Sequence, residues 1–267
     1  MQVTVLNFDN VYQHQPFLQH IDAHWVDFHT MPNTNLFCEK NTLHELAMRL
    51  YQQHRNKITL IGSGNYHYMT YVLMAKIKKP FTLVLFDHHT DTLESPSVDL
   101  ISCGSWVLEA LKKMRNLQKV LIIGVSEDGE QHIPTSIEDK VSLYPKHQLR
   151  LNFNQALESI LQTIPTDEVY ISIDKDVLDE KEAMTAWDHG NMKLRQVLRI
   201  VKEVFQSKTI LGLDICGEYP MNANEFGHKV KKATELNNFA NQFLLHYIRR
   251  WWPGEKEPSD FISGLSS

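Results

Sequence analysis

Short, nearly continuous apolar runs alternate along the chain with segments whose apolar residues recur at helical spacing. Val3–Phe8, Ile58–Gly62, Phe81–Phe86, Val120–Val125, Val141–Tyr144, Glu168–Ile173 and Thr209–Ile215 read as strands. Phe81–Phe86 is apolar at almost every position, as a strand buried on both faces requires. Between the strands, Asn41–Gln53, Tyr66–Lys78, Gly104–Met114, Asn154–Gln162, Met192–Phe205 and Lys231–Arg249 carry the i, i+3, i+4 spacing of amphipathic helices. The last is the longest, with a stripe through Leu236, Phe239, Phe243 and Tyr247. Alternation of strand and helix predicts a three-layer α/β/α domain around a mainly parallel sheet of about seven or eight strands. Residues 1–252 are expected to form this single domain, and the polar, Pro/Gly/Ser-rich 253–267 a flexible tail. Residues 13–40 read as one long irregular segment with four histidines, His14, His20, His24 and His29. A loop of that length usually covers a site or takes part in one.

Composition narrows the function classes. The 267 residues are 42% hydrophobic and 22% charged, with a net charge of −5. That balance suits a soluble globular domain and gives no basic footprint for nucleic acid or anionic membrane. No apolar run reaches the 18 residues of a membrane span. The opening MQVTVLNFDN has neither the basic nor the apolar region of a signal peptide. Cys38, Cys103 and Cys216 are widely spaced, with no CxxC, and a reducing cytoplasm is the simplest setting for them.

The chemistry is concentrated where strands end. The run Phe81–Phe86 leads into Asp87-His88-His89-Thr90-Asp91, and Glu168–Ile173 leads into Asp174-Lys175-Asp176. In an extended segment alternate residues share a face, so Asp87, His89 and Asp91 converge, as do Asp174 and Asp176. A lone strand-terminal Asp is commonly a helix N-cap. Four carboxylates gathered in one place are too costly to bury unless cations neutralise them. Ile58–Gly62 leads into Gly62-Ser63-Gly64-Asn65-Tyr66-His67, which brings His67 to the same sheet edge, and Thr209–Ile215 brings Asp214 and then Glu218. The carboxyl ends of parallel strands are where such sheets bind ligands. Carboxylate oxygens with one or two imidazoles favour Mn²⁺ or a similar ion over thiolate-bound zinc, and the donor set is large enough for two ions. His88 points opposite to His89 and reads as a packing residue, and Lys175 as a sheet-face or salt-bridge residue. No phosphate-binding loop or dinucleotide fingerprint competes with this reading.

These three segments resemble, in order, those of the ureohydrolases: arginase, agmatinase and formimidoylglutamase. IGSGNYH, FDHHTD and SIDKDVLDE stand where that family has Gly-Gly-Asp-His, Asp-Ala-His-x-Asp and Ser-x-Asp-x-Asp-x-x-Asp-Pro. The resemblance runs from about Ile58 to Pro220 and implies an arginase-like fold. Carried over by position, it implies two divalent ions, Mn²⁺ in type. His67, Asp87, His89, Asp91, Asp174 and Asp176 would be their ligands, and Asp87 and Asp174 would bridge. It implies a hydrolase in which a metal-bridging hydroxide attacks a guanidino or amidino carbon, Asp91 moves a proton to the leaving amine, and Glu218 grips the cationic group.

The departures concern the substrate. Where arginases carry Asn-x-His-Gly this chain has Ile101-Ser102-Cys103-Gly104, so Cys103 takes the histidine's place. The final motif reads Asp214-Ile215-Cys216-Gly217-Glu218, one residue longer than Asp-Ile-x-Glu. Asp188 and His189 fall in the loop where the family builds its substrate rim. The expected substrate is a small or peptide-borne guanidine or amidine other than free arginine. Three alternatives stand beside it: a peptide arginase acting on arginine side chains, a deacetylase-type metallohydrolase with one zinc on the same scaffold, and a metal-stabilised protein without catalysis. Trp251 and Trp252 read as a packing anchor or as an interface of a homo-oligomer, an assembly common in the family.

Overall fold

The computed structural model describes residues 2–53, 56–220 and 227–252. In chain order its strands and helices are β1 (Val3–Asn7), β2 (Ala23–Asp27), β3 (Phe37–Glu39), α1 (Lys40–Gln53), β4 (Ile58–Leu60), α2 (Met69–Met74), β5 (Phe81–Phe86), β6 (Leu100–Ser102), α3 (Trp106–Lys113), β7 (Leu117–Ile123), β8 (Val141–Tyr144), α4 (Lys146–Leu151), α5 (Phe153–Thr163), β9 (Glu168–Asp174), α6 (Leu194–Ser207), β10 (Thr209–Cys216) and α7 (His228–Trp251). Eight strands form one sheet in the order β2-β1-β4-β10-β9-β5-β7-β8. Every neighbouring pair in it is parallel. β3 and β6 form a separate antiparallel pair.

Alternation along each strand feeds two cores. In β5, Val84 and Phe86 pack into the layer of α5, α6 and α7, with Ile160, Val197 and Leu244. Leu83 and Leu85 pack into the other layer, with Leu46 of α1, Met69 of α2 and Leu108 of α3. The sheet is therefore covered on both faces, as the apolar runs predict. Trp252 is buried against Phe205, with ring centroids 5.1 Å apart, and so anchors the end of α7 within the chain.

The expectation of an irregular 13–40 segment needs correction. It contains a 3₁₀ turn (Pro16–His20), the sheet's edge strand β2, and β3. β2 has a single buried position, Val26, because an edge strand packs little on either side. The expected helix at Tyr66–Lys78 is a 3₁₀ turn, Gly64–Tyr66, followed by the six-residue α2. Residues 253–267, expected to be a tail, lie outside the described residues.

Candidate metal centre

Four adjacent central strands, β4, β10, β9 and β5, deliver the site. His67 follows the Gly64–Tyr66 turn beyond β4, Asp87 follows β5, and Asp174 ends β9. The strand pleat carries only as far as Asp87 and Asp174. Beyond them, each aspartate turns the chain back on itself. Asp87 Oδ1 accepts from the His89 backbone N–H at 2.6 Å, and Asp174 Oδ1 from that of Asp176 at 3.0 Å. Such Asx turns, rather than continued β alternation, bring the later donors round. Asp91 sits in the left-handed region at φ 52°, which turns its carboxylate back beneath His67.

All six expected ligands converge on one cavity of about 610 Å³. The His67 Nδ1 lies 3.3 Å from Asp87 Oδ2, 3.2 Å from Asp91 Oδ2 and 3.4 Å from Asp174 Oδ2. The His89 Nδ1 lies 2.8 Å from Asp176 Oδ2 and 3.6 Å from Asp87 Oδ1. His67 and the four aspartates are buried; His89 is partly open to the cavity.

A chain of hydrogen bonds fixes the role of His67. Asp214 receives the Ser172 hydroxyl at 2.6 Å and the Tyr170 hydroxyl at 2.9 Å. With its one proton on Asp214, Ser172 Oγ accepts from His67 Nε2, 3.0 Å away. The Nδ1 lone pair is then aimed at three carboxylates, an arrangement that repels unless a proton or a metal cation stands among them. This is the orientation that outer partners impose on a metal-binding histidine. The sequence reading names Asp214 only as a strand end and Ser172 only as the first residue of the third motif, and it misses Trp106. Trp106 Nε1 donates to Asp91 Oδ2 at 2.5 Å.

Electrostatics point the same way. Burial, and then repulsion from Asp87, push the Asp91 carboxyl up to about 6. Burial, and then Asp174 and Asp87, push Asp176 well above the carboxylate range. Burial works against a charged His89, yet hydrogen bonds to Asp176 and Asp87 outweigh it and hold the imidazole up at about 12. Asp91 and Asp176 bind a proton more strongly because burial penalises their charge and neighbouring carboxylates repel it, whereas Asp87, also buried but beside the His67 and His89 imidazoles, is held well below the usual carboxylate range. Asp87 Oδ2 is buried with no hydrogen-bond partner. Three donor sets have atoms within 4.8 Å of one another: His67, Asp87 and Asp91; Asp87, His89 and Asp176; and His67, Asp174 and Cys216. The donors fit divalent cations.

The expected substrate residues divide. Cys103 and Asp188 line the cavity. His189 does not; its Nδ1 lies 3.0 Å from the Leu178 carbonyl and its Nε2 accepts from the Thr185 N–H, holding the loop together. Glu218 does not reach the cavity either. It is buried, ion-paired with Lys175, and accepts from Gln15 and Asn241 at 2.7 Å each. The cause is Gly217, at φ 86°, which breaks the alternation of β10. Cys216 faces the α1–α3 layer, whereas Glu218 turns to Asn241 of α7. Leu36, Phe37, Leu93, Pro96 and Trp187 give the cavity an apolar wall.

The sheet is parallel, and an acidic, imidazole-bearing cluster stands at the carboxyl ends of its central strands, where such α/β sheets bind their ligands. The chain belongs to the arginase family: the pattern described as Arginase family matches residues 4–235. A curated protein from Thermotoga maritima, described only as an uncharacterized protein, is 30% identical over 217 residues, 81% of this chain and 79% of that one. The arginase of Bacillus caldovelox is similar in structure at a TM-score of 0.61 and 16% identity, covering 96% of this chain and 98% of that one. The agmatine ureohydrolase of Thermoplasma volcanium gives 0.62 and 17%, covering 93% and 91%. The formimidoylglutamase of Bacillus subtilis gives 0.62 and 14%, covering 91% and 86%. No described helix is long and apolar enough to cross a membrane.

Proposed function

We propose that this protein is a metal-dependent hydrolase that cleaves a C–N bond of a guanidino or amidino group. Family membership supports that reaction class, and the observation that carries the metal is His67 Nδ1 held toward three buried carboxylates. His67 and Asp91 would hold one divalent ion, His89 and Asp176 the other, and Asp87 and Asp174 both. The oxygen-rich His89 side favours Mn²⁺. When bound, two ions acidify a water and polarise the substrate's central carbon.

The protein's own groups supply the rest. Asp91, held by the Trp106 indole N–H, takes a proton from the attacking water and passes it to the departing amine. The acidic floor attracts a cationic amidine, while Trp187 beside His89, with ring centroids 5.6 Å apart, shields it from bulk water. Glu218 has no part in gripping substrate, since Lys175, Gln15 and Asn241 occupy its carboxylate. Cys103 stands at the usual histidine position beneath an apolar wall, so the family's histidine contact to the amino-acid end of free arginine is replaced. A site lacking that polar contact loses the discrimination it supplies. The size and apolar wall of the cavity favour an amidine carried on a larger body, a peptide-borne arginine among them.

The test is steady-state release of urea or ammonia by metal-loaded protein across L-arginine, agmatine, guanidino acids and arginine-containing peptides. At least one substrate should reach a kcat/KM on the order of 10⁴ M⁻¹s⁻¹, with L-arginine not the best. No turnover by fully loaded protein on any amidine contradicts the reaction class. L-arginine as the best substrate contradicts the account of the substrate wall.

A further inference from the structure

We infer that the ion on the His67 side is bound through sulfur as well as oxygen and nitrogen, with Cys216 as a ligand, so that the two metal positions differ in softness. The inference rests on the two-ion reading above and deepens it. Cys216 and Asp174 are register neighbours on adjacent parallel strands, so their side chains leave the sheet on the same face. Both are buried. The thiol donates to Asp174 Oδ2 at 3.1 Å, and that oxygen lies 3.4 Å from His67 Nδ1. The Cys216 sulfur, a His67 ring nitrogen and an Asp174 oxygen all lie within 4.8 Å of one another. A second feature, beside His67 Nδ1, points to a cation. Asp87 Oδ2, 3.3 Å from His67 Nδ1, is buried without a hydrogen-bond partner.

Gly217 makes the approach possible. A Cβ built there would stand 2.4 Å from Asp174 Oδ1 and 2.6 Å from the Lys175 nitrogen, so only glycine lets the end of β10 close onto the aspartate and bring Cys216 with it. The chemistry is a ligand exchange without oxidation. The S–H bond breaks, the sulfur lone pair bonds to the arriving dication, and the proton leaves to solvent. A thiolate is a soft donor and selects Zn²⁺, Co²⁺ or Fe²⁺ over Mn²⁺, whereas the His89 side, built from Asp87, His89 and Asp176, has no sulfur among its donors.

The experiment is titration of metal-free protein with Co²⁺, followed by near-ultraviolet absorption and by metal analysis. A thiolate-to-cobalt charge-transfer band should appear with the wild type, persist in Cys103→Ser and vanish in Cys216→Ser. To remove dependence on the folding of that variant, X-ray absorption of the zinc-loaded wild type should show sulfur at about 2.3 Å, averaging about half a scatterer per zinc when both positions are filled. Two Co²⁺ per chain with no band and no sulfur scatterer overturns the inference and leaves Cys216 a hydrogen-bond donor to Asp174. A band lost in Cys103→Ser but kept in Cys216→Ser also overturns it. Fewer than two ions per chain counts against the two-ion reading, while the band still judges Cys216 separately.

Discussion

Asp174 ends β9 with one carboxylate oxygen taken by the Asp176 N–H and the other beside His67 and Cys216. His89 reaches a single corner of the cluster and is partly exposed. The two should therefore fail differently. Asp174→Asn is expected to cost at least about 10³-fold in turnover and to release metal, and His89→Asn about 10²-fold, both with the fold retained. Kinetics with metal analysis on each variant checks this; near wild-type turnover by Asp174→Asn with full metal occupancy contradicts the ligand assignment. Asp9 offers a second residue-scale test. Burial, opposed by hydrogen bonds from Ser63, pushes its carboxyl from 3.8 up to about 6. The folded state then holds this proton more tightly than the unfolded chain, so the contribution of Asp9 to stability falls as pH rises from about 4 to about 6 and stays low above that. Asp9 is partly exposed, which trims the effect to on the order of 1–2 kcal/mol. The Tm of Asp9→Asn relative to wild type should rise between pH 4.5 and 7.5. A difference that stays flat, or runs the other way, contradicts the assignment. At this scale Asp87 and Asp174 were legible because each closes an apolar run, and His89, Asp91 and Asp176 because they follow at intervals of two. Ser172 was not, because a serine inside a buried strand leaves no mark on the hydrophobic pattern.

Between elements, the turning of Glu218 away from the cavity and its pairing with Lys175 have one cause. A position in an extended chain is assigned to a face by counting in twos, and one residue out of step reverses the face. Gly217 in the left-handed region introduces that step. Glu218 thereby leaves the cavity and meets Lys175, which stands between Asp174 and Asp176 and faces the opposite way. Gln15 and Asn241 complete a buried network joining the loop after β1, the ends of β9 and β10, and α7. Removing one member leaves the other charge unpaired in the interior. Glu218→Gln should lower stability by about 3–5 kcal/mol, and adding Lys175→Met should restore much of it. Denaturant unfolding of the single and double variants decides; a double variant as weak as the sum of the two single changes, or weaker, rules out this pairing. The edge strand β2 was illegible for a related reason. Only Val26 of its five residues is buried, so period two never becomes visible, whereas β5, buried at all six, could not be missed.

For the whole molecule, strand–helix alternation was enough to foretell the parallel sheet and its covering layers, because burying both faces of a sheet demands nearly continuous apolar strands. Strand order was beyond its reach, since nothing in local pattern says that β4 and β10 lie side by side. That order is what assembles the centre, for it sets β4, β10, β9 and β5 next to one another and turns three separate motifs into one acidic pocket. The central claim is that this pocket is a two-ion centre. Four buried carboxylates and two imidazoles overfill one small site and suit two that share ligands. The most direct measurement is elemental analysis of protein stripped of metal, reconstituted with excess divalent ion and freed of unbound metal. Two ions per chain in the wild type, reduced in Asp174→Asn, is the result expected. One ion per chain, or none, would contradict it.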